Sequence, residues 1–173
     1  MTTPTDVLKN LQASAHQRLN AAAMRKILVL DGAMGTMIQG YTLGEGDFRG
    51  QRFSDWQCDL SGNNDLLSLT QPDIIRAIHR AYLDAGSDII ETNTFNATTI
   101  SQADYALQAY SAEINLRSAQ LARSACDAVS TAEHPRFVAG VFAPGGLKDP
   151  VEMLTDYLGR PPQQDAFMET MGL

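Results

Sequence analysis

Hydrophobic residues along this chain alternate between short continuous runs and helix-like stripes. The run Ile27–Leu30 has the length of a strand and no polar alternation, which is typical of a parallel strand buried on both faces, and it stops at Asp31. Ser87–Thr92 and Arg136–Phe142 predict a second and a third strand. Ahead of the first strand, Thr5–Met24 is alanine-rich with apolar residues at near-helical spacing, which predicts a lead-in helix.

Two helical stripes separate the predicted strands. The first is punctuated by Thr70 as N-cap, Pro72 at the first helical position and Gly86 as the stop. Its predicted buried stripe comprises Ile74, Ile75, Ile78, Ala81, Tyr82 and Ala85. The second helix is predicted over Ser111–Ser130, and its inward residues are Ile114, Leu121, Ala122, Ala125 and Val129. The element order predicts an α/β fold with right-handed parallel crossovers, either a doubly wound sheet or part of a (β/α)₈ barrel.

The segment between the first strand and the first of these helices has no clean period. Gly40–Ser68 is rich in Gly, Asp and Asn, which is typical of an ordered functional loop. We expect the aromatic residues Phe48, Phe53 and Trp56 to pin this loop rather than to bind a base.

Composition and charge narrow the class of protein. The chain has 173 residues, of which 44% are hydrophobic and 19% charged, as in a globular domain. A net charge of −7 argues against a nucleic-acid or anionic-membrane surface. No stretch approaches the roughly 20 apolar residues of a membrane span, and the N-terminus has no secretory signal pattern, so we expect a cytoplasmic protein. Cys58 and Cys126 lie far apart and outside any CxxC pattern, so we expect a loop thiol and a buried helix residue rather than a metal pair or a disulfide.

Two strand ends carry most of the polar chemistry. The first strand ends in Asp31–Thr36 (DGAMGT) and the second in Glu91–Asn96 (ETNTFN). Parallel strands place these ends on one rim, where carboxylates can accept bonds from an ammonium group and glycine N–H groups can hold a carboxylate. The alternatives are that Asp31 and Gly32 are simple turn residues and that the asparagines only satisfy loop backbone. The spacing does not fit the G-x-G-x-x-G dinucleotide pattern, and His79 is expected to be solvated.

Four sequence strings resemble the cobalamin-dependent methionine synthases. They are ILVLDGAMGTMIQ (27–39), DFRGQRF (47–53), GNNDLLSLTQP (62–72) and AGSDIIETNTFNATTI (85–100). The resemblance implies a (β/α)₈ barrel that binds homocysteine and a zinc ion, which lowers the pKa of the substrate thiol. It further implies that the methyl group comes from methylcobalamin, regenerated from methyltetrahydrofolate by other domains.

The same resemblance implies a set of substrate-binding residues. They are Asp31, Gly32, Gly35, Thr36, Glu91, Asn93 and Thr94, with Asp31 as the acceptor of the substrate ammonium. In the family, zinc is held by a lone cysteine on a later strand and by an adjacent cysteine pair near the end of the domain. Neither cysteine of this chain falls at such a position, so no catalytic residue, metal ligand or cofactor is assigned to it.

The predicted domain organisation is a lead-in helix (1–23), an incomplete homocysteine-binding barrel of three strands (24–141) and an unrelated tail (142–173). The tail resembles the C-terminus of thimet-type oligopeptidases, without their H-E-x-x-H motif; the alternative is a divergent end of the same family. We expect a helix over about 150–159, an open sheet edge and non-specific self-association. The predicted function is that of an inactive fragment of methionine synthase with weak homocysteine binding at most. The alternatives are a non-catalytic homocysteine-binding fragment and a non-functional fusion or frameshift product.

Overall fold

The structure, a computed structural model, describes residues 15–141 of the chain. Its helices and strands are α1 (15–23), α2 (Met34–Gln39), α3 (Glu45–Arg49), α4 (Leu67–Thr70), α5 (Pro72–Asp84), β1 (Ile89–Glu91), α6 (Thr99–Gln102), α7 (Ser111–Asp127) and β2 (Phe137–Ala139). Three short 3₁₀ turns lie at Asn64–Leu66, Ala103–Tyr105 and Gln108–Tyr110. The first part of the predicted lead-in helix and the predicted tail helix lie outside the described residues. Among the described helices, none has both the length and the apolar composition that crossing a membrane requires.

The described sheet is small and parallel. Strands β1 and β2 pair in parallel, with Ile90 opposite Val138 at the centre of the register. A single parallel bridge joins Leu30 to Ile89, so the first predicted strand is present only as a bridge beside β1. The parallel direction predicted from the element order is therefore confirmed for the pairs that the structure describes, within a helix-rich α/β fold.

The prediction that Ile27–Leu30 is buried on both faces is wrong. Ile27 is 91% exposed and Val29 is 52% exposed. Within residues 15–141 this segment borders β1 on one side only, so half of its backbone and much of its side-chain surface have no neighbour. The apolar run is typical of a strand with neighbours on both sides and both faces covered. Among the described residues, only β1 borders it.

A buried carboxylate ties the first segment to the sheet. The Asp88 side chain is 2% exposed and accepts bonds from Lys26 Nζ at 2.6 Å and Arg136 Nη1 at 3.0 Å. Its second oxygen accepts the backbone N–H of Val29 at 3.1 Å. Both carboxylate oxygens are thus satisfied, as a buried charge requires, at the end of the sheet opposite the polar strand ends.

Helix α5 begins and ends close to where the sequence predicts. Pro72 occupies the first helical position, as expected, but the N-cap is Gln71, and Thr70 instead ends α4. At the other end Gly86 has a φ of +109°, and its N–H bonds to the carbonyl of Leu83 while that of Ser87 bonds to the carbonyl of Tyr82. These two bonds form a Schellman motif, so the predicted glycine stop is confirmed.

The buried face of α5 is displaced from the predicted stripe. Ile75 and Ile78 are buried as expected, whereas Ala81 and Ala85 are exposed. Leu83 and His79 are buried in their place, and His79 is fully inaccessible, so its predicted solvation is wrong. Helices α2, α4 and α7 all contact α5. Because several helices pack against it, the buried face of α5 differs from the single apolar stripe seen in the sequence.

Helix α7 packs against α5 and the sheet much as predicted. Four of its five predicted inward residues are buried, and Val129 lies beyond the helix end and is partly buried. Cys126 is also buried on this helix, and Cys58 is half-buried in the loop; both are free thiols, as expected. The helix ends at Asp127, three residues before the predicted end.

The long loop is ordered by side-chain bonds to its own carbonyl groups. Arg49 donates to the carbonyls of Trp56 at 2.6 Å and Cys58 at 2.8 Å. Trp56 Nε1 donates to the carbonyl of Tyr105 at 2.9 Å, and the Trp56 ring stacks edge-on against Phe53. The predicted pinning by aromatic residues is confirmed, and the loop additionally contains α3 and a 3₁₀ turn.

Candidate substrate-binding rim

The ends of the first segment and of β1 meet at one edge of the sheet. The backbone N–H of Asp31 donates to the carbonyl of Ile89 at 2.9 Å, which extends the pairing by one step. The Asp31 carboxylate then accepts the backbone N–H of Glu91 at 3.0 Å. The structure therefore places Asp31 and Glu91 on the same rim, as the rule for parallel strands predicts.

A cleft of about 250 Å³ opens at this rim. Six of the seven predicted substrate-binding residues line it, namely Asp31, Gly32, Gly35, Glu91, Asn93 and Thr94. Thr36 does not; it is exposed on α2, one residue beyond the cleft. The lining also includes Met34 and Phe95, which sequence reasoning did not single out, and Phe95 is 65% exposed at the mouth.

Asp31 carries the clearest electrostatic signature of the rim. Burial raises its pKa, the hydrogen bond from the Glu91 N–H lowers it, and the nearby Glu91 carboxylate raises it, with a net value of about 6. No cationic side chain pairs with Asp31 among residues 15–141. A half-buried carboxylate without a cation is a group whose charged form a bound ammonium would stabilise.

The side-chain donors of Asn93 and Thr94 bond to the protein, although both residues line the cleft. The Asn93 side-chain amide donates to the carbonyl of Asn64 at 2.7 Å and to Ser68 Oγ at 3.3 Å. The Thr94 hydroxyl donates to the carbonyl of Val141 at 2.7 Å. Both donors are thus occupied, and the alternative that this asparagine satisfies loop backbone describes Asn93 correctly.

Sequence reasoning missed one polar residue of the cleft wall, Thr92, and one buried behind it, Asp65. Thr92 Oγ1 accepts the backbone N–H of Val141 at 3.0 Å and lies 2.7 Å from Thr94 Oγ1. Asp65 is buried and accepts the backbone N–H of Asn96 at 2.9 Å. In the sequence, Asp65 is marked only by its place in the string GNNDLL. A hydrogen bond between residues as far apart as Asp65 and Asn96 leaves no periodic pattern that could reveal it.

The described residues do not fit a zinc ion. No group of three His, Cys, Asp or Glu side chains in residues 15–141 converges in a way that could hold a metal. Burial raises the pKa of the Cys126 thiol to about 11, and its Sγ donates to the carbonyl of Phe137. A thiol in that state is a poor metal ligand, because metals bind the thiolate.

A sequence profile of the family described as homocysteine S-methyltransferase matches residues 28–166, which is most of the chain. The chain belongs to the homocysteine S-methyltransferase family. The profile match continues past Val141, so it overlaps the segment that also resembles thimet-type oligopeptidases; that second resemblance stays a prediction.

Two solved structures are similar to this chain. The homocysteine methyltransferase MmuM from Escherichia coli, in a metallated form, is 26% identical with a TM-score of 0.57, over 87% of this chain and 49% of that one. An oxidised form of the same enzyme is 25% identical with a TM-score of 0.54, over 75% of this chain and 46% of that one. The chain thus spans about half the length of the solved relatives that it matches.

Proposed function

We propose that this chain forms the homocysteine-binding rim of a methyltransferase of the methionine synthase type, at the start of a (β/α)₈ barrel. One observation carries the proposal: at one edge of the parallel sheet, inside a cleft, the Asp31 carboxylate accepts the backbone N–H of Glu91. Family membership supplies the substrate class, because the solved relative is named a homocysteine methyltransferase.

Asp31 would accept the ammonium group of the amino acid. One bond from the Glu91 N–H orients its carboxylate, and the remaining lone pairs are available to a ligand. A bound ammonium supplies the cation that Asp31 lacks, so binding would lower its pKa from about 6 and hold it ionised. The backbone of Gly32 and Gly35, on the same cleft wall, is the proposed contact for the substrate carboxylate.

We assign substrate binding rather than methyl transfer to the described residues. They hold no set of ligands for zinc, so no step that activates the substrate thiol is derived from them. In the proposed complete enzyme, the methyl donor is methylcobalamin, and neither it nor methyltetrahydrofolate is assigned a site on this chain. The strings DFRGQRF and GNNDLL favour this type of methyltransferase over those that use betaine or methylmethionine.

Titration calorimetry of the full chain with L-homocysteine tests the proposal. We expect saturable binding, and we expect Asp31→Asn to raise Kd by at least about tenfold, because a charge-assisted bond contributes roughly 1.5–3 kcal/mol. Asp104→Asn is the matched control, since Asp104 is exposed on a 3₁₀ turn away from the cleft. Binding that is absent in the wild type, or that is equally strong in Asp31→Asn, would overturn the proposal.

A simple assay separates one of the two alternatives from the proposal. A homocysteine-binding fragment without catalysis binds the amino acid and transfers no methyl group, which is also what we expect of the described residues. A non-functional product lacks a cooperative thermal transition in near-ultraviolet circular dichroism, which fixed aromatic packing such as that of Phe53 and Trp56 would otherwise give.

A further inference from the structure

A buried polar cluster lies directly behind the rim. Its centre is the segment Asn63–Asp65, which we call the brace; both Asn63 and Asp65 are buried. No residue of the brace lines the cleft, so the segment does not itself face a ligand there. Buried polar groups are costly unless they are hydrogen-bonded, and the bonds of the brace therefore show what it holds.

The brace holds the loop that follows β1 at two points. Asn63 and Gln102 exchange side-chain amide bonds of 2.8 and 3.2 Å, and the Gln102 amide also donates to the carbonyl of Asn96 at 3.1 Å. Asp65 Oδ1 accepts the backbone N–H of the same Asn96 at 2.9 Å. Both backbone polar groups of Asn96 are thus fixed through the brace, one directly and one through Gln102.

The brace also holds the loop that follows β1 at a third point. The backbone carbonyl of Asn64 accepts the side-chain amide of Asn93, which belongs to the rim. On its other side Asn64 neighbours Gly35, since its Nδ2 would lie 3.7 Å from a Cβ atom placed there. One residue therefore hydrogen-bonds the loop after β1 and lies beside the first turn of α2.

A second set of bonds reinforces this contact from α7. The Ser118 hydroxyl has two acceptors within hydrogen-bond distance: Ser68 Oγ at 2.7 Å and the backbone carbonyl of Asn93 at 3.1 Å. All three residues are buried. A satisfied network of this kind is rigid, because moving one member leaves another without a partner.

We infer that the brace is a positioning element that holds the loop after β1 in place and so sets the separation of Glu91 from Asp31. The identity of the ligand in the cleft, an amino acid with a free ammonium group, rests on the proposed function. The geometry of the brace does not. If the brace loosens, the loop after β1 moves away, Asp31 gains water, and its carboxyl titrates closer to an ordinary aspartate.

The test compares Asp65→Leu with Asp65→Asn. Leucine has a similar size but no acceptor, whereas asparagine keeps an oxygen that can accept the Asn96 N–H. Two readouts are measured on the full chain: the titration midpoint of the Asp31 carboxyl by carbon-13 NMR and the Kd for L-homocysteine. Ile114→Val is the control, since it removes a methyl group from the core and lowers stability without removing any hydrogen bond of the brace.

We expect Asp65→Leu to lower the Asp31 midpoint by at least about half a pH unit from its value near 6 and to raise Kd at least about fivefold. Asp65→Asn and Ile114→Val should leave the midpoint unchanged and Kd within about twofold. Wild-type midpoint and Kd in Asp65→Leu, or equal changes in Ile114→Val, would overturn the inference.

A substitute variant and a second way to judge the result complete the test. Gln102→Met, which keeps the side-chain length but removes all three side-chain amide bonds, replaces Asp65→Leu if that variant does not fold, with the same expected changes. If the wild type binds no homocysteine, the proposed function fails, and the Asp31 midpoint alone then decides whether the brace positions the rim.

Discussion

The buried histidine of α5 predicts a specific sensitivity of this protein to acid. His79 is completely inaccessible, and neither ring nitrogen has a hydrogen-bond partner among the described residues. Burial lowers its pKa from 6.5 to about 4, because the charged imidazolium loses its hydration without gaining a partner. Folding therefore requires the neutral ring, whereas the unfolded chain can bind a proton.

The direction and size of the pH dependence follow from the difference in proton binding between the folded and the unfolded state. Between pH 6.5 and pH 4 the unfolded state binds the proton and the folded state does not, so the free energy of unfolding falls as the pH is lowered. The stability is fully present above pH 6.5, and the loss ends below about pH 4. The two pKa values limit the total loss to about 3 kcal/mol, of which about 2 kcal/mol falls between pH 7 and pH 5.

The substitution His79→Leu isolates this contribution. Urea unfolding followed by circular dichroism at pH 7.5, 6.5, 5.5 and 5.0 gives the free energy of unfolding for both proteins. The difference between variant and wild type should grow by about 2 kcal/mol from pH 7 to pH 5 in favour of the variant. At pH 7.5 the variant should already be equal or more stable by about 1 kcal/mol, because two unpaired polar atoms are removed.

Taking the difference also cancels the titration of other groups, including Asp31, whose raised pKa acts in the opposite direction. Ile75→Val is the control, since Ile75 is buried on the same helix and carries no ionisable group, so its difference from wild type should not depend on pH. A pH-independent difference for His79→Leu would show that the folded protein accommodates the charged ring, and the reasoning from burial would be refuted.

Two further predictions concern the rim and the stop of α5. The affinity for homocysteine should fall about tenfold from pH 7 to pH 5, because only the ionised Asp31 attracts the ammonium and the loss begins as the pH falls through its pKa of about 6. Calorimetry at pH 5 with undiminished affinity would exclude Asp31 as the acceptor. Gly86→Ala should lower the free energy of unfolding by about 1–2 kcal/mol, since its φ of +109° strains any residue with a Cβ atom. Gly46→Ala, in α3 and with open space around its Cβ position, should be neutral or stabilising, and equal losses in both variants would contradict the role of φ.

Local rules predicted the features that depend on neighbouring residues. Pro72 marks the start of α5 through its fixed φ, and Gly86 marks its end through the positive φ that glycine adopts without strain, so both are visible in the sequence. The meeting of Asp31 and Glu91 follows from the direction of parallel strands, which the order of elements determines. These parts of the fold required no knowledge of distant contacts.

Features that depend on distant partners were not predictable. The burial of His79 results from packing against several helices, and its position next to Ile78 on the helix gave no sign of this. The commitment of Asn93 to Asn64 and Ser68 joins residues more than twenty positions apart. Sequence reasoning therefore identified Asn93 as a rim residue but could not distinguish a ligand from a structural amide.

The two aspartates at opposite ends of the sheet, Asp31 and Asp88, show why we propose the rim, and not the other end, as the place for a cationic ligand. Burial raises the pKa of Asp88, but the bonds from Lys26 and the Val29 N–H, with the charges of Lys26 and Arg136, outweigh it and lower the pKa. Asp31 is also removed from water, yet only the backbone N–H groups of Glu91 and of Asp31 itself compensate it, and its pKa stays raised. Because the same sheet satisfies one carboxylate with two cations and leaves the other without any among the described residues, a ligand that brings an ammonium group gains most at Asp31.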